Sequence, residues 1–349
     1  MSAAPPPRVT LTPGYTIARV IKGGWQLAGG HGAVDQKAAI ADMHAYVDAG
    51  CTTFDCADIY TGVEALIGAF VRARGRADDL QIHTKYVPDR SRLATLTRAD
   101  VHDAVTRSLT RLGVEALDLV QFHWWDYDVP GMADAAGWLA DERTAGRIRH
   151  LGVTNCDTPT VTALLDAGLP IVAHQVQYSV LDQRPAGAMQ ALCAARGVAL
   201  LCYGTVAGGF VAERWLGRPA PSTPLENRSL VKYRLIIDEA GGWAQFQHVL
   251  STLAAVAARH GVDPSVVATA WVLGRPGVAA AIVGARHRGH LAATVAAASL
   301  TLSADDRAAI DRAIAAGRPV PGDVYALERD QGGRHAGVMR YELNTGAGG

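Results

Sequence analysis

Short apolar runs and amphipathic stretches alternate along most of the chain. Eight segments rich in apolar, β-branched and aromatic residues have the length of strands, and each is followed by a segment with the apolar period of an α-helix. The predicted strands are residues 19–27, 52–55, 80–85, 117–122, 149–154, 172–177, 199–203 and 279–283. The predicted helices are residues 35–49, 63–73, 98–112, 133–144, 158–166, 187–195, 243–259, 265–273, 290–298 and 304–315. Regular alternation of this kind requires a parallel sheet, because each helix carries the chain back to the start of the next strand.

Eight such units predict the α/β class and a single closed (β/α)8 TIM barrel. A doubly wound open sheet is the alternative, and it would need a glycine-rich dinucleotide turn after the first strand. The sequence Gly29-Gly30-His31-Gly32 matches GxGxxG poorly. We therefore predict an N-terminal tail at residues 1–16, a barrel at 17–316 with a long loop after its seventh strand, and a C-terminal extension at 317–349. The proline-rich tail either frays or covers the bottom of the barrel.

Composition and charge restrict the partners. Lys plus Arg and Asp plus Glu number 33 each among the 349 residues, which gives no reason to expect nucleic acid or a membrane as a partner. No apolar run reaches the roughly 18 residues of a membrane span, and the first residues lack the basic and apolar parts of a signal peptide. The five cysteines show no CxxC spacing, which predicts reduced thiols in a cytoplasmic protein without a structural metal.

Polar residues stand where successive predicted strands end. Asp55 ends the second strand, Tyr60 follows in the next loop, Lys85 ends the third strand and His123 follows the fourth. In a barrel these ends meet at one mouth. Taken singly, these residues have structural explanations as a helix cap, a surface aromatic, a rim charge and a core histidine. Together they suit general acid chemistry on a carbonyl group.

The usual pKa values of these four side chains suggest a role for each of them. A tyrosine is a weak acid with a pKa of about 10, and an adjacent Lys85 ammonium would favour the phenolate of Tyr60. Asp55 would hold Lys85 charged and in place, and His123 would orient a carbonyl oxygen by a hydrogen bond.

Seven phrases of the sequence resemble the aldo-keto reductase family. They are FDCADIY at 54–60, HTK at 83–85, LVQFHWWD at 119–126, GVTNC at 152–156, HQVQYSVLD at 174–182, CYGTVAGGF at 202–210 and IVGAR at 282–286. The resemblance covers residues 17–316 and implies hydride transfer between a nicotinamide and a carbonyl carbon. It implies that Tyr60 donates the proton, that Lys85 and Asp55 adjust its acidity, and that His123 positions the carbonyl.

The same resemblance implies where the dinucleotide binds. Asn155 and Gln175 would hold the carboxamide, and Tyr203 would stack on the nicotinamide ring. The basic residues Arg286 and Arg288 precede a predicted helix, whose N-terminus favours anions, and they resemble the family's site for a 2′-phosphate. The predicted cofactor is therefore NADP (NADPH). The remaining predicted cofactor residues are Gly204, Thr205, Gly284, His290 and Thr294. The family often has Gln or Arg at the position of His290, and Asn at the position of Thr294.

Aromatic residues near the strand ends predict the walls of a substrate pocket. The predicted substrate residues are Trp25, Tyr86, Trp124 and Trp125. Aromatic walls with one polar corner suit a small carbonyl compound with an apolar or sugar-like body. The long loop carries Phe210, Trp215 and Tyr233 and is expected to fold over the cofactor. The extension from residue 322 onward either closes the pocket or contacts a second subunit.

The sequence favours an NADP-dependent oxidoreductase that interconverts an aldehyde or ketone with its alcohol. One alternative is a regulatory subunit that binds the dinucleotide, like the family's ion-channel β-subunits. Another is a sugar or alcohol dehydrogenase that works in the oxidative direction. A metal-dependent barrel hydrolase using His123 and Asp126 would need an HxH motif or several carboxylates at strand ends, which the sequence lacks. The expected partner is a small carbonyl or alcohol, and the oligomeric state stays open.

Overall fold

Ten strands form two sheets in the computed structural model, which describes residues 5–222, 224–284 and 286–344. Strands β1 (Arg8–Thr12) and β2 (Tyr15–Ala18) pair as an antiparallel hairpin. The other eight strands are parallel and close into a barrel in the order β10-β3-β4-β5-β6-β7-β8-β9. They are β3 (Val20–Gly23), β4 (Thr53–Asp55), β5 (Gln81–Tyr86), β6 (Leu117–Phe122), β7 (Ile148–Thr154), β8 (Ile171–Gln177), β9 (Ala199–Tyr203) and β10 (Val278–Gly284). The predicted (β/α)8 barrel is confirmed.

Helices connect the strands on the outside of the barrel. They are α1 (Gln36–Asp48), α2 (Val63–Arg74), α3 (Arg98–Leu112), α4 (Met132–Thr144), α5 (Thr158–Asp166), α6 (Ala188–Arg196), α7 (Arg228–Glu239), α8 (Gly242–His260), α9 (Pro264–Leu273), α10 (Leu291–Ser299), α11 (Ala304–Ala315) and the short α12 (Ala326–Arg329). Their ends follow local chemistry. Helix α3 begins with a capping box between Thr97 and Asp100 and ends at Gly113 in the left-handed conformation.

Two apolar clusters hold the fold together. The larger one lies between the strands and the surrounding helices. The smaller one fills the barrel and contains Leu119 and Leu201 together with Leu11, Tyr15 and Ile17 of the hairpin. The hairpin therefore plugs the barrel at the end where the strands begin. Part of it occupies the predicted N-terminal tail, of which residues 1–4 lie outside the described residues.

The strand register brings the polar strand ends to one level. Gly23 pairs with Asp55, Lys85 with Gln121, and Gln177 with Tyr203. Parallel neighbours in register point matching side chains to the same side, so these residues share the mouth formed by the strands' carboxyl ends.

The long loop after β9 differs from the sequence prediction, because it contains the helix α7. Asn227 caps this helix by accepting a hydrogen bond from Leu230 N at 3.0 Å. The C-terminal extension contains α12, and its residues 338–340 and 343 line the cavity at the barrel mouth; residues 345–349 lie outside the described residues. Within the described ranges, none of the helices has the length and apolarity needed to cross a membrane.

Candidate active site

A cavity of about 730 Å³ opens at the carboxyl ends of the barrel strands. The four predicted catalytic residues Asp55, Tyr60, Lys85 and His123 all line it. The predicted cofactor residues that line the same cavity are Asn155, Gln175, Tyr203, Gly204, Thr205, Gly284, Arg286, His290 and Thr294. Among the predicted substrate residues, Trp25 and Trp125 line it. Residues that are far apart in sequence are thus brought to one opening by the barrel.

A buried network fixes the carboxylate of Asp55. Lys85 Nζ donates to Asp55 Oδ2 at 2.7 Å and to the Cys56 carbonyl at 2.7 Å. Gln175 Nε2 donates to Asp55 Oδ1 at 2.6 Å, and Gln121 Nε2 reaches the same oxygen at 3.2 Å. Both side chains of the ion pair are about 95% removed from solvent, with exposures of 5% for Lys85 and 4% for Asp55. A buried pair with this many hydrogen bonds holds the ammonium in one position.

Lys85 also faces Tyr60. Its Nζ lies 4.9 Å from the centroid of the Tyr60 ring. Burial raises the pKa of Tyr60 above its usual value, and the Lys85 ammonium opposes that rise only in part. Burial alone would lower the pKa of Lys85, but Asp55 and Tyr60 raise it, so the pKa lies above its ordinary value. At neutral pH the site therefore holds a neutral phenol beside a charged lysine.

The tautomer of His123 follows from its hydrogen bond. Its Nδ1 lies 2.9 Å from the Thr154 carbonyl oxygen, and a carbonyl only accepts, so Nδ1 carries the proton. Burial, reinforced by Arg329, lowers the pKa of His123 to about 3, so the ring is neutral. Its Nε2 is buried and has no hydrogen-bond partner among the described residues. Nε2 therefore presents a lone pair to the cavity.

A hydrogen bond joins Asn155 and Tyr203 in the lining of the cavity. The Tyr203 hydroxyl donates to Asn155 Oδ1 at 2.8 Å. Asn155 has a φ of 57°, a left-handed conformation that asparagine tolerates better than most residues. Its backbone N–H donates to the Gln175 carbonyl at 2.9 Å. This arrangement leaves Nδ2 of Asn155 as a donor and Oε1 of Gln175 as an acceptor.

Helix α7 contributes cavity residues that the sequence analysis missed. Lys232 Nζ lies 5.2 Å from the centroid of the Tyr203 ring and 3.9 Å from Glu328 of the C-terminal extension. Gly204 has a φ of +77°, and a Cβ there would come within 2.2 Å of the Tyr233 hydroxyl. Glycine at this position therefore lets α7 pack directly against the end of β9.

Three predicted site residues lie away from the cavity lining. Tyr86 is buried and stacks on Phe122 at 6.1 Å between centroids, while Trp124 is fully buried and donates to the Val129 carbonyl at 3.1 Å. Successive side chains of an extended strand point to opposite sides, so Tyr86 turns outward where Lys85 turns inward. Arg288 lies 4.0 Å from Asp42 on the outer surface. The structure does not bring these three residues to the predicted site.

Arg286 lines the cavity and already has partners there. Its two terminal nitrogens donate to the His31 and Ala33 carbonyls, both at 2.5 Å. His31 Nε2 in turn lies 2.8 Å from the Ser229 hydroxyl at the start of α7. The loop after β3 is thus tied to the loop after β10 and to α7, on both sides of the groove that leads from the barrel mouth to α10.

The C-terminal extension closes part of the cavity. Tyr325, Val338, Met339, Arg340 and Leu343 belong to its lining. The Tyr325 ring lies 5.6 Å from the His123 ring in an edge-to-face arrangement. The extension therefore covers the pocket within this chain.

Comparisons with known proteins agree with this geometry. A model of the Aldo/keto reductase family matches residues 19–315. "Aldo-keto reductase str7" of Strobilurus tenacellus is 28% identical over 284 residues, which cover 79% of this chain and 80% of that protein. "Aldo-keto reductase YhdN" of Bacillus subtilis (strain 168) is 26% identical over 304 residues, covering 84% of this chain and 89% of that protein.

A solved structure shares the fold. The aldo/keto reductase from Klebsiella pneumoniae, crystallised in complex with NADP and acetate, superposes with a TM-score of 0.69 at 24% identity and covers 90% of this chain and 98% of its own. The family match spans the whole barrel and includes every residue of the Asp55, Tyr60, Lys85 and His123 set. The chain therefore belongs to the aldo/keto reductase family and is an NAD(P)-dependent oxidoreductase.

Proposed function

We propose that the protein reduces an aldehyde or ketone to the alcohol with NADPH, and that Tyr60 supplies the proton. The observation that carries this proposal is the position of Lys85, whose ammonium is fixed on Asp55 at 2.7 Å and lies 4.9 Å from the Tyr60 ring centroid. A phenol beside a fixed cation can lose its proton at lower cost than a phenol alone. Tyr203 also lies near a lysine, Lys232 at 5.2 Å, but its hydroxyl donates to Asn155 at 2.8 Å, and Lys232 is held less closely, 3.9 Å from Glu328.

The cavity suits a dinucleotide at both of its ends. At the barrel mouth, the donor of Asn155 and the acceptor of Gln175 complement a carboxamide, which offers one acceptor and one donor group. The half-buried Tyr203 ring offers a face for a flat heteroaromatic ring. Thr154 Oγ1 and Gln26 Oε1 are buried without a partner in the described structure, so the lining has unsatisfied polar atoms.

The basic side chains at the far end favour a phosphorylated adenosine. Arg286 and His290 lie on the loop before α10, and Thr294 lies on its first turns. A guanidinium at a helix N-terminus is suited to a phosphate group. This is the support for NADP over NAD, and the similar aldo/keto reductase from Klebsiella pneumoniae was crystallised with NADP.

The reduced nicotinamide would supply the hydride to the carbonyl carbon. The chain's own residues then handle the proton: Tyr60 gives its hydroxyl proton to the carbonyl oxygen, and the resulting phenolate is stabilised by the Lys85 ammonium. Asp55 keeps Lys85 charged and in place, with Gln121 and Gln175 holding the carboxylate. The phenolate regains a proton from water between turnovers, which balances the reaction. In the reverse direction the phenolate accepts the alcohol proton.

The tautomer of His123 restricts the hydrogen bonds that its Nε2 can form with a substrate. A neutral ring with its proton on Nδ1 can accept a hydrogen bond at Nε2 but cannot donate one there. A hydrogen bond from His123 to the carbonyl oxygen would require a second proton on the ring, so in this neutral form the proton to that oxygen comes from Tyr60 alone.

The test is NADPH consumption with a panel of aldehydes and ketones. We expect turnover that depends on the carbonyl compound and is lost in Tyr60→Phe. NADPH binding without any consumption above background would instead favour a regulatory subunit. We further infer a reducing compartment such as the cytoplasm, because all five cysteines are buried free thiols.

A further inference from the structure

We propose that the pocket selects carbonyl compounds that carry a second, anionic group, and that Arg340 of the C-terminal extension binds this group. The inference rests on the proposed reductase function and names the substrate class for the same site.

Arg340 is placed on the rim of the cavity by a fixed backbone. The Tyr341 carbonyl accepts from Arg90 N at 3.0 Å, and Asp89 Oδ1 accepts from the backbone N–H groups of Leu343 and Asn344, each at 2.9 Å. Glu342 accepts from Ser91 N at 2.9 Å. The segment 341–344 is thus attached to the loop after β5, and Arg340 enters the cavity from a held position.

The neighbours of Arg340 put it on the side of the mouth where the substrate reacts. The Tyr341 ring lies 5.1 Å from Trp125, which lies 4.4 Å from His123. On its other side, Met339 Sδ lies 3.8 Å from the Tyr325 hydroxyl, and the Tyr325 ring lies 5.6 Å from His123. Arg340 therefore stands between two residues whose partners pack on the His123 ring.

A second guanidinium faces the same space. Arg228 donates to the Val338 carbonyl at 3.2 Å, two residues from Arg340, and its Cζ lies 5.8 Å from the Trp25 ring centroid. Trp25 lies 5.1 Å from Tyr60 between ring centroids. Burial lowers the pKa of Arg228, and repulsion from the nearby Arg340 lowers it further.

These two positive charges have no carboxylate partner in the described structure. Arg340 forms no hydrogen bond or ion pair with residues 5–222, 224–284 or 286–344, and Arg228 bonds only a carbonyl and a ring. Of the carboxylates that line the cavity, Asp55 is bound to Lys85, while Glu213 and Asp263 belong to the loop after β9 and to the start of α9. Two adjacent guanidinium groups without a counter-charge form a site for a carboxylate or phosphate.

A phosphate of the cofactor is the alternative ligand for the guanidinium groups of Arg340 and Arg228. Arg286 and His290, in the loop before α10, are the basic residues proposed above for its adenosine phosphate. Arg340 instead belongs to the segment that covers His123 and Trp125, where the substrate must lie. This position favours an anion on the substrate.

The experiment compares benzaldehydes that carry, at the 3- or 4-position, either a carboxylate or the uncharged carboxamide of the same shape. For the wild-type protein with NADPH, we expect kcat/KM to be about tenfold higher for a carboxylate than for its amide, a difference of about 1.4 kcal/mol. Arg340→Gln should remove this preference mainly through KM, and Arg340→Lys should keep part of it. Added salt should raise KM for the carboxylate alone, since the guanidinium is exposed.

Arg334→Gln is the matched control, because Arg334 lies on the same extension but is paired with Asp238 at 3.1 Å outside the cavity. We expect it to leave both substrates unchanged. Equal kcat/KM for each carboxylate and its amide would overturn the inference while leaving the reductase function intact. Equal losses for both substrates in Arg340→Gln, with a raised dissociation constant for NADPH, would also overturn it and assign the guanidinium to the cofactor. Failure of the wild type to reduce these compounds or any carbonyl of the panel would reject the proposed function, and this inference with it. Reduction of other panel members but of neither benzaldehyde would overturn the inference alone.

Discussion

The ammonium of Lys85 lies 4.9 Å from the centre of the Tyr60 ring. Asp55 binds the ammonium from the other side at 2.7 Å, so the lysine cannot move toward the tyrosine without breaking a buried ion pair. The cation is therefore fixed before any substrate arrives. Preorganised charge of this kind stabilises a developing anion without the cost of reorientation.

The first prediction concerns pH. Burial raises the pKa of Tyr60 above its ordinary value, so the phenol stays protonated through the neutral range. Carbonyl reduction needs the protonated form, and its rate should be constant near neutral pH and fall at alkaline pH. Alcohol oxidation needs the phenolate, and its rate should rise with pH over the same alkaline range. Initial rates in both directions from pH 6 to 11 measure this, and a reduction rate that rises into the alkaline range would contradict it.

The second prediction concerns the Asp55 and Lys85 pair. Lys85→Met leaves the Asp55 carboxylate buried without its counter-charge, which costs about 3–5 kcal/mol in free energy of unfolding. The double variant Asp55→Asn/Lys85→Met should recover much of that loss, because no buried charge remains. Activity should stay low in both, reduced by about 10²–10⁴-fold, since the cation is missing.

Denaturant unfolding and NADPH oxidation together separate the two effects. Stability restored in the double variant without activity would agree with a lysine that serves catalysis. Activity restored along with stability would mean that Lys85 only supports the fold.

The third prediction concerns the adenosine end. Arg286→Gln should weaken NADPH binding about tenfold and NADH binding far less, because the guanidinium faces the groove where a 2′-phosphate would lie. Arg288→Gln is the control: Arg288 lies outside the cavity beside Asp42, so both dissociation constants should stay unchanged. Fluorescence titration of each variant with both dinucleotides gives the values. Equal weakening of NADPH and NADH in Arg286→Gln would assign the residue to tethering the loop at His31 and Ala33 instead.

The fourth prediction concerns acid stability. Burial lowers the pKa values of His83, His123 and His174 to about 3 each. An unfolded histidine titrates near about 6.5, so the unfolded chain binds more protons below that pH and the native state loses stability. Each buried histidine should cost about 1.4 kcal/mol for every unit that the pH falls between about 6.5 and 3.

His174→Gln tests this arithmetic, because His174 lies away from the reacting groups and bonds Cys156 N at 3.2 Å. Its unfolding free energy should fall less steeply with pH than that of the wild type, by about 1.4 kcal/mol per unit. His248→Gln, at an exposed position, should leave the slope unchanged. Identical slopes in all three proteins would contradict the prediction.

The sequence alone was enough to find the site residues that have reactive side chains and lie at the ends of strands. Asp55, Tyr60, Lys85 and His123 could be found because polar residues at the ends of apolar runs must meet at the mouth of a barrel. Gln121 was missed because it lies within an apolar strand, where one amide gives no sign that it holds a carboxylate at 3.2 Å. The error at Tyr86 was avoidable in principle, since it follows Lys85 directly and strand alternation turns it away.

The extension and α7 could not be derived from local patterns. Lys232 enters the cavity because Gly204 lets the helix approach and because Glu328, nearly a hundred residues later, lies 3.9 Å from its ammonium. Arg340 reaches the mouth because Asp89 binds the backbone beyond it. Such placements depend on contacts between distant segments, which apolar periodicity does not encode.

The most direct test of the account is the Tyr60→Phe variant, assayed for both NADPH binding and carbonyl reduction. The substitution removes the proton donor and keeps the ring that packs near Trp25 at 5.1 Å between centroids. We predict that NADPH binds with an unchanged dissociation constant, while the rate of reduction falls by about 10²–10⁴-fold. Reduction at the wild-type rate by Tyr60→Phe would contradict the central claim.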